Sequence, residues 1–494
     1  MRRLFRSVDP YQWVVVGAVA LVALIGRLAG TTFDTDPIAA HPLVPTWQLL
    51  DLSLLRHHLL GSLAVLHMQP PLYNLAIGLL LRLPGPLQVP VAEVVLFACA
   101  AASAALTLAS MSLLGVPRAF ALGVTLVFVV LDPAQFLYAM TPFYVAPTAA
   151  LMTGLGYLAI RMAQAPTAAT AAAFAACGAV LALWTTLWQP LVFLGLLALT
   201  LMLLPADRRA LAKGMAVPAA VLVAWSLHTT VSFGTPMTST WLGMNLARVT
   251  VYAAPRETVV DLVRQGRLRP IATVHPFAAL GVYGATPDRS GPPALTQVTK
   301  ADGSPNENNR AYIGVSRLTL ADDLRFIALE PRQYAVNVFG SLSLWFTPAD
   351  QYFTLHAAPT ATYRAVYDRY VAWQPAPYEH PDGRHIPTST RWSRLSVFAL
   401  AVWGCVLVGV PTVVAVTYRR RHHRAVGLVL LWLLVTVPLV VTSLAEYGEN
   451  NRLRFEVGTA PITLFAVVAA TAARSLGARR RAEARPLPSG VGAG

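Results

Sequence analysis

Two carboxylates at a chain position suited to proton transfer come first. Asp34 and Asp36 stand in Thr31-Thr-Phe-Asp34-Thr-Asp36-Pro37, directly after the first long apolar run. Paired acids at a membrane surface can divide the work: one takes a proton from a hydroxyl, and the other positions that hydroxyl or holds a metal. The same residues also suit a solvated loop that closes a helix. Near the other end, Glu446-Tyr-Gly-Glu449-Asn-Asn-Arg452-Leu-Arg454-Phe-Glu456 precedes the last apolar run. Guanidinium matches phosphate oxygens geometrically, so Arg452 and Arg454 suit a phosphate group. Snorkelling, or pairing with Glu449 and Glu456, is the alternative.

Other residues invite weaker readings. Asp132, in Leu131-Asp132-Pro133, suits a helix N-cap. Trp241 and Asn245, with small residues between them, suit a sugar pocket, since aromatic faces stack on sugars, or an interfacial belt residue and a turn. His57, His58 and His67 lack the spacing of a metal set, since adjacent residues diverge on a helix. Cys99, Cys177 and Cys405 each lie inside an apolar run, which predicts small buried hydrophobes rather than disulfides or a thiolate site.

The elements that must position these groups follow from composition. The chain has 494 residues, 55% hydrophobic and 12% charged, with a mean hydropathy of +0.54. Soluble domains carry roughly a quarter charged residues. Repeated apolar runs place the chain in the all-α polytopic membrane class, with about ten or eleven spans. The candidates are 12–30, 71–84, 91–115, 118–131, 136–161, 168–187, 189–205, 213–233, 396–417, 425–444 and 456–475. The net charge of +15 gathers at the ends of apolar runs, as in Arg208-Arg209 and Arg419 to Arg421, so topology accounts for it and nucleic acid is not an expected partner. The positive-inside rule puts both termini in the cytoplasm of a plasma membrane. It leaves a segment of about 160 residues, 234–395, outside, long enough to fold as a domain. The resulting units are 1–233, 234–395, 396–475 and a disordered tail over 476–494.

Within 1–233 the leucine spacing predicts an amphipathic interfacial helix over about 45–68. In the large segment, Asp322 to Leu329 and Tyr363 to Trp373 look helical, and Tyr334 to Phe346 is apolar enough to lie in the interface. Eight spans before an external segment conflict with a cytoplasmic N-terminus. Asp132, Pro133, Pro142 and Pro147 make 118–161 the expected place for a broken or re-entrant element. Lysine occurs at positions 213 and 300 alone, a bias expected of a GC-rich bacterial genome.

The order of a first span, an acidic external segment, an interfacial helix and then His67-Met-Gln69-Pro70-Pro71-Leu72-Tyr73 resembles the GT-C glycosyltransferases. The resemblance is to the branch of protein O-mannosyltransferases and lipid A aminoarabinose transferases. The Arg-x-Arg-aromatic link before the last span is similar to theirs. The chain departs from that pattern by the inserted Met68-Gln69 and by Asp-x-Asp where many relatives have adjacent acids. The resemblance implies inverting transfer of a sugar from a polyprenyl-phosphate donor to an envelope glycan, lipid or protein. Asp34 or Asp36 would be the base, and Arg452 and Arg454 would hold the donor phosphate. His67, Gln69, Tyr73 and Asp132 would line the substrate cavity, joined by Trp241, Asn245 and Glu449. It implies no required cofactor, with a divalent metal possible. A transporter or flippase of a lipid-linked precursor is the runner-up, and few charges within the spans argue against it. A non-catalytic envelope assembly protein is the third reading.

Overall fold

The computed structural model of the chain describes residues 10–28, 48–346, 397–419 and 421–483. Asp34, Asp36, the expected helix over Tyr363 to Trp373 and most of the tail lie outside these residues. The described chain is helical, with one isolated β-bridge between Thr299 and Pro305. A bilayer core requires this, because each buried N–H and C=O must be bonded within its own segment. Among the described residues, four helices are long and apolar enough to cross: Gly85–Leu113, Pro205–Phe233, His422–Ala445 and Ala460–Ala478. A fifth crossing is available from Arg118–Val130 and Ala134–Met140, which meet at 52°. Shorter apolar helices, such as Ala168–Trp184 and Pro190–Leu203, pack beside them.

The helices share two ends. At one end, basic side chains cap carbonyls that helix geometry leaves unbonded. Arg424 donates to Leu114 O, Arg474 to Gly115 O at 2.8 Å, and His422 Nε2 lies 3.1 Å from Leu203 O. Gln164 Nε2 reaches Leu113 O at 2.9 Å. The ends of Gly85–Leu113, Val145–Gln164 and Pro190–Leu203 therefore gather at a basic face. At the opposite end lie Tyr144, Trp184 and the link from Glu446 to Glu456.

The expected span over 71–84 is corrected here. Pro71–Leu80 has 10 residues, a rise of about 15 Å, half of a bilayer core. Its Tyr73 ring packs on Tyr144 and Trp184, with centroids at 5.4 and 5.8 Å. Its Gly78 lies directly under Leu59 and the Leu55 carbonyl. Both ends thus stay on the side away from the basic face. Two elements bear on the parity conflict: the short Pro71–Leu80, and the bent pair within 118–161, whose 52° break suits a broken span or a re-entrant loop. The interruption expected there is present at Asp132-Pro133, where the Asp132 carboxylate caps Ala134 N–H at 3.0 Å.

Two cores account for this arrangement. The bundle core includes Met111, Met152, Phe174, Leu434 and Leu464. A second core joins residues 49–81 to Phe136, Tyr138, Tyr144, Trp241, Leu280 and Tyr312. The interfacial helix predicted over 45–68 is two short helices, Leu52–His57 and Leu59–Ala64, broken at His58. Residues 234–346 contribute to the second core, so this part of the large segment is packed onto those helices. Asp322 to Leu329 ends the Ala311–Leu329 helix. Most of Tyr334 to Phe346 lies in Pro331–Leu344, which rests on His422–Ala445 with Tyr334 Oη donating to Leu444 O at 2.8 Å.

Candidate functional site

A cavity of about 810 Å³ opens at the end of the bundle away from the basic face. Sequence-remote segments meet on it: Gln69, Trp241, Asn245, Arg248, Glu449 and Arg452 all line it. One flank is apolar. Leu191, Val192 and Val441 line it and are 51%, 41% and 47% exposed on the outside of the bundle. The cavity thus pairs a charged pole with a wall of hydrocarbon.

The charged pole is built on the short helix Asn450–Glu456 and the turn before it. Arg452 is buried and pairs with Glu449 and Glu456 at i−3 and i+4. It also donates to Tyr144 Oη at 2.7 Å and lies over the Phe143 and Tyr144 rings. Arg248 bridges Glu446 at 2.8 Å and Glu449 at 2.9 Å. Three carboxyls and two guanidiniums share a dry pocket, so their protonation differs. Burial pushes Glu446 up to about 8 despite Arg248. Burial raises Glu456 to about 7, partly offset by Arg452. Burial acts on Glu449 too, but Arg452 and Arg248 outweigh it and hold that carboxyl at about 2. Burial thus works against ionising all three carboxyls at once, while Arg452 and Arg248 together keep Glu449 charged.

The helix Leu242–Val249 presents Trp241, Asn245 and Arg248 at i, i+4 and i+7, one face over two turns. Its approach to Ala311–Leu329 depends on Gly243. A Cβ there would sit 2.0 Å from Ser316 O and 2.7 Å from Leu320 N, both backbone atoms. Gly243→Ala should therefore push the two helices apart and misalign Asn245 and Arg248. The expected cost is about 1–3 kcal/mol, read as a lower thermal midpoint of the purified protein; an unchanged midpoint would refute the close-packing argument.

A polar hub fixes the opposite wall. Asn308 Oδ1 accepts from His67 N at 2.8 Å and Met68 N at 3.3 Å, while its Nδ2 reaches Val65 O and Ala294 O. The His67 ring lies 2.8 Å from Thr240 Oγ1 on one side and 2.9 Å from Asn308 O on the other. The neighbours of those two partners, Trp241 and Glu307, thereby come to one wall of the cavity. Glu307 is buried with Lys300 at 3.1 Å. Asp51 fastens the same turn from below, capping Ser53 N and accepting from Ala301 N at 2.6 Å.

Beside Trp241, Phe277 adopts a left-handed backbone at φ 63°, alone among the described non-glycine residues. A bulky residue there costs on the order of 1–3 kcal/mol and persists where its surroundings impose it. Tyr283 imposes it from both sides: its Oη donates to His275 O at 2.8 Å and accepts from Ala278 N at 3.2 Å. Tyr312 Oη donates to Ala278 O at 3.0 Å.

The residues expected from sequence divide. Gln69, Trp241, Asn245, Glu449 and Arg452 reach the cavity wall. His67 is buried behind that wall as the bridge just described. Tyr73 packs under Tyr144, with its Oη 3.4 Å from Pro142 O. Asp132 caps its helix, within the electrostatic reach of Arg454. Neither Tyr73 nor Asp132 is among the lining residues. Arg454 is half-buried on the same short helix as Arg452. Asp34 and Asp36 lie outside the described residues. Among the described residues, no three His, Cys, Asp or Glu side chains group as metal ligands. Sequence reasoning missed Arg248, Glu446, Tyr144, Phe277 and Glu307. One signal was available: Glu307-Asn-Asn-Arg310 repeats Glu449-Asn-Asn-Arg452, and both glutamates line the cavity.

No family model and no curated protein matches the chain. Among solved structures, the chain is similar to ArnT from Cupriavidus metallidurans, solved bound to undecaprenyl phosphate. Identity is 16%, the match covers 97% of this chain and 82% of that one, and the TM-score is 0.34.

Proposed function

We propose that this chain is a GT-C-type membrane glycosyltransferase that moves a sugar from a polyprenyl phosphate to an envelope glycan, lipid or protein. The observation that carries the reading is the cavity itself: a charged pole joined to an apolar flank that opens on the outside of the bundle. That shape suits an amphiphile with a phosphate head and a hydrocarbon tail, entering from the bilayer. The sequence resemblance supports the chemistry. The acceptor oxygen attacks the anomeric carbon, and the bond from that carbon to the phosphate oxygen breaks, leaving its electron pair on the lipid phosphate with inversion. Asp34 or Asp36 takes the acceptor proton. Arg452, with Arg248 beside it, offsets the charge developing on the departing phosphate in a low-dielectric pocket. Arg454, two residues on in the same short helix, adds positive charge from outside the cavity lining. No cofactor is needed for this step; a divalent metal, if used, would sit on the Asp34–Asp36 pair.

In this reading the basic face and both termini are cytoplasmic, and the cavity is external. Seven passes up to Phe233, then Val397 to Thr417, His422–Ala445 and Ala460–Glu483, make ten. Residues 234–395 cap the site and select the acceptor. The test is sugar transfer from a polyprenyl-phosphate donor by the purified chain in nanodiscs, with and without chelator. Asp34→Asn or Asp36→Asn should lower turnover by about 10²–10⁴ with donor binding intact. Full turnover in both variants would remove the proposed base, and lipid translocation without transfer would replace the enzyme with a transporter.

A further inference from the structure

We infer that the corner formed by Trp241 and Phe277 is a stacking subsite for a pyranose ring, and that the strained backbone at Phe277 exists to complete it. This rests on the glycosyltransferase reading and names where the sugar sits.

Three observations carry it. The two rings meet at 5.0 Å and 69°, so they form an inside corner rather than a flat stack, and both line the cavity. Sugars are amphipathic: the C–H face of the ring suits an aromatic surface, while the hydroxyls need hydrogen-bond partners at the edge. Such partners surround the corner. Asn245 stands one turn along the helix from Trp241, and Glu307 is brought to the same wall by the His67 bridge. The buried indole N–H of Trp241 meets no acceptor among the described residues. A buried donor without a partner is uncommon and gains most from a ligand hydroxyl.

The backbone supplies the third observation. Phe277 packs part of its ring against the second core and Trp241, yet glycine would adopt its left-handed backbone freely. The Tyr283 and Tyr312 hydrogen bonds nevertheless hold the turn shut around it. Strain of this kind gathers where a side chain must be presented to a ligand. The spacing agrees: from Trp241 to Arg248 is seven residues, a rise of about 10 Å, which leaves room for a sugar between the aromatic corner and the charged pole.

The test uses the full chain in nanodiscs and saturation-transfer NMR with methyl pyranosides as probes, cyclohexanemethanol serving as the control. Saturation should concentrate on one ring face of the pyranosides. Phe277→Gly should weaken their binding at least tenfold while the thermal midpoint holds or rises, because the strain is relieved. Unchanged binding, or binding lost only in step with a fallen midpoint, overturns the subsite. Should Phe277→Gly not fold, Phe277→Leu keeps the apolar bulk and removes the π face; binding equal to wild type then overturns the proposal. Transfer assays on the same preparations separate the two ideas. Transfer without ring-face saturation rejects the subsite and spares the enzyme. Ring-face saturation without transfer from any polyprenyl-phosphate sugar rejects the enzyme and spares the subsite.

Discussion

Arg452→Ala should destabilise the protein by about 3–5 kcal/mol, because it strands the buried Glu456 carboxyl and leaves Glu449 to Arg248 alone. The loss should depend on pH with a definite sign. Without Arg452, Glu449 keeps only Arg248 against burial, and burial raises the folded pKa of Glu456 further above its unfolded value. A group raised in this way favours the folded state fully below the unfolded pKa and loses that contribution as pH rises through the folded pKa. The variant should therefore lie nearest wild type in mild acid and fall furthest behind in mild alkali. The paired change Arg452→Met with Glu456→Gln removes charge from both partners and should recover much of the stability, since a buried ion pair often stabilises little over an apolar replacement. It should not recover sugar transfer, because the phosphate would then meet one guanidinium fewer. Thermal midpoints across pH, with turnover on the same samples, check both halves. A double variant that regains transfer would take Arg452 out of the phosphate site and leave it a structural ion.

Asn308→Leu should loosen the wall that carries Trp241 and Glu307 while sparing the bundle. The substitution leaves the His67 and Met68 N–H groups and the Val65 carbonyl without the partner that now satisfies them, while Ala294 O keeps Asn306 Nδ2 at 3.2 Å. Each such buried group costs about 1–3 kcal/mol, so the sum reaches on the order of 4 kcal/mol or more. The bundle core is a separate cluster and does not include these residues. Limited proteolysis should therefore accelerate by tenfold or more between Val298 and Asn309, while fragments of the bundle stay protected. Asn308→Asp keeps the acceptor and loses the donor, and should fall between. Equal cleavage rates in Asn308→Leu and wild type would show that the hub is dispensable.

Much of the fold could be read in the sequence because the bilayer leaves few options. Long apolar runs became helices wherever lipid demanded it, and basic run-ends became the capped face at Arg424 and Arg474. The charged link stands out because arginines away from the basic face need a reason, and the pairing of Arg452 with Glu449 and Glu456 is one of the two readings its sequence allows. Pro71–Leu80 misled for a physical reason. Its Tyr73 and Ile77 are buried in the core that holds Leu55, Leu59 and Tyr144, and hydropathy does not distinguish a protein core from lipid. Arg248, Phe277 and Glu307 were invisible because their roles depend on contacts across the chain. Tyr283 holds Phe277, His67 aligns Glu307 with Trp241, and Glu446 and Glu449 hold Arg248. No local period announces any of these.

The flank formed by Leu191, Val192 and Val441 changes what concentration means for this protein. A molecule arriving through that side is drawn from a two-dimensional pool, so occupancy follows its mole fraction among neighbouring lipids rather than moles per litre of buffer. Extra detergent or inert lipid then acts as a competitor without touching the protein. A water-soluble mimic that lacks the tail forfeits the partitioning that concentrates the natural molecule, however well its head group fits the charged pole.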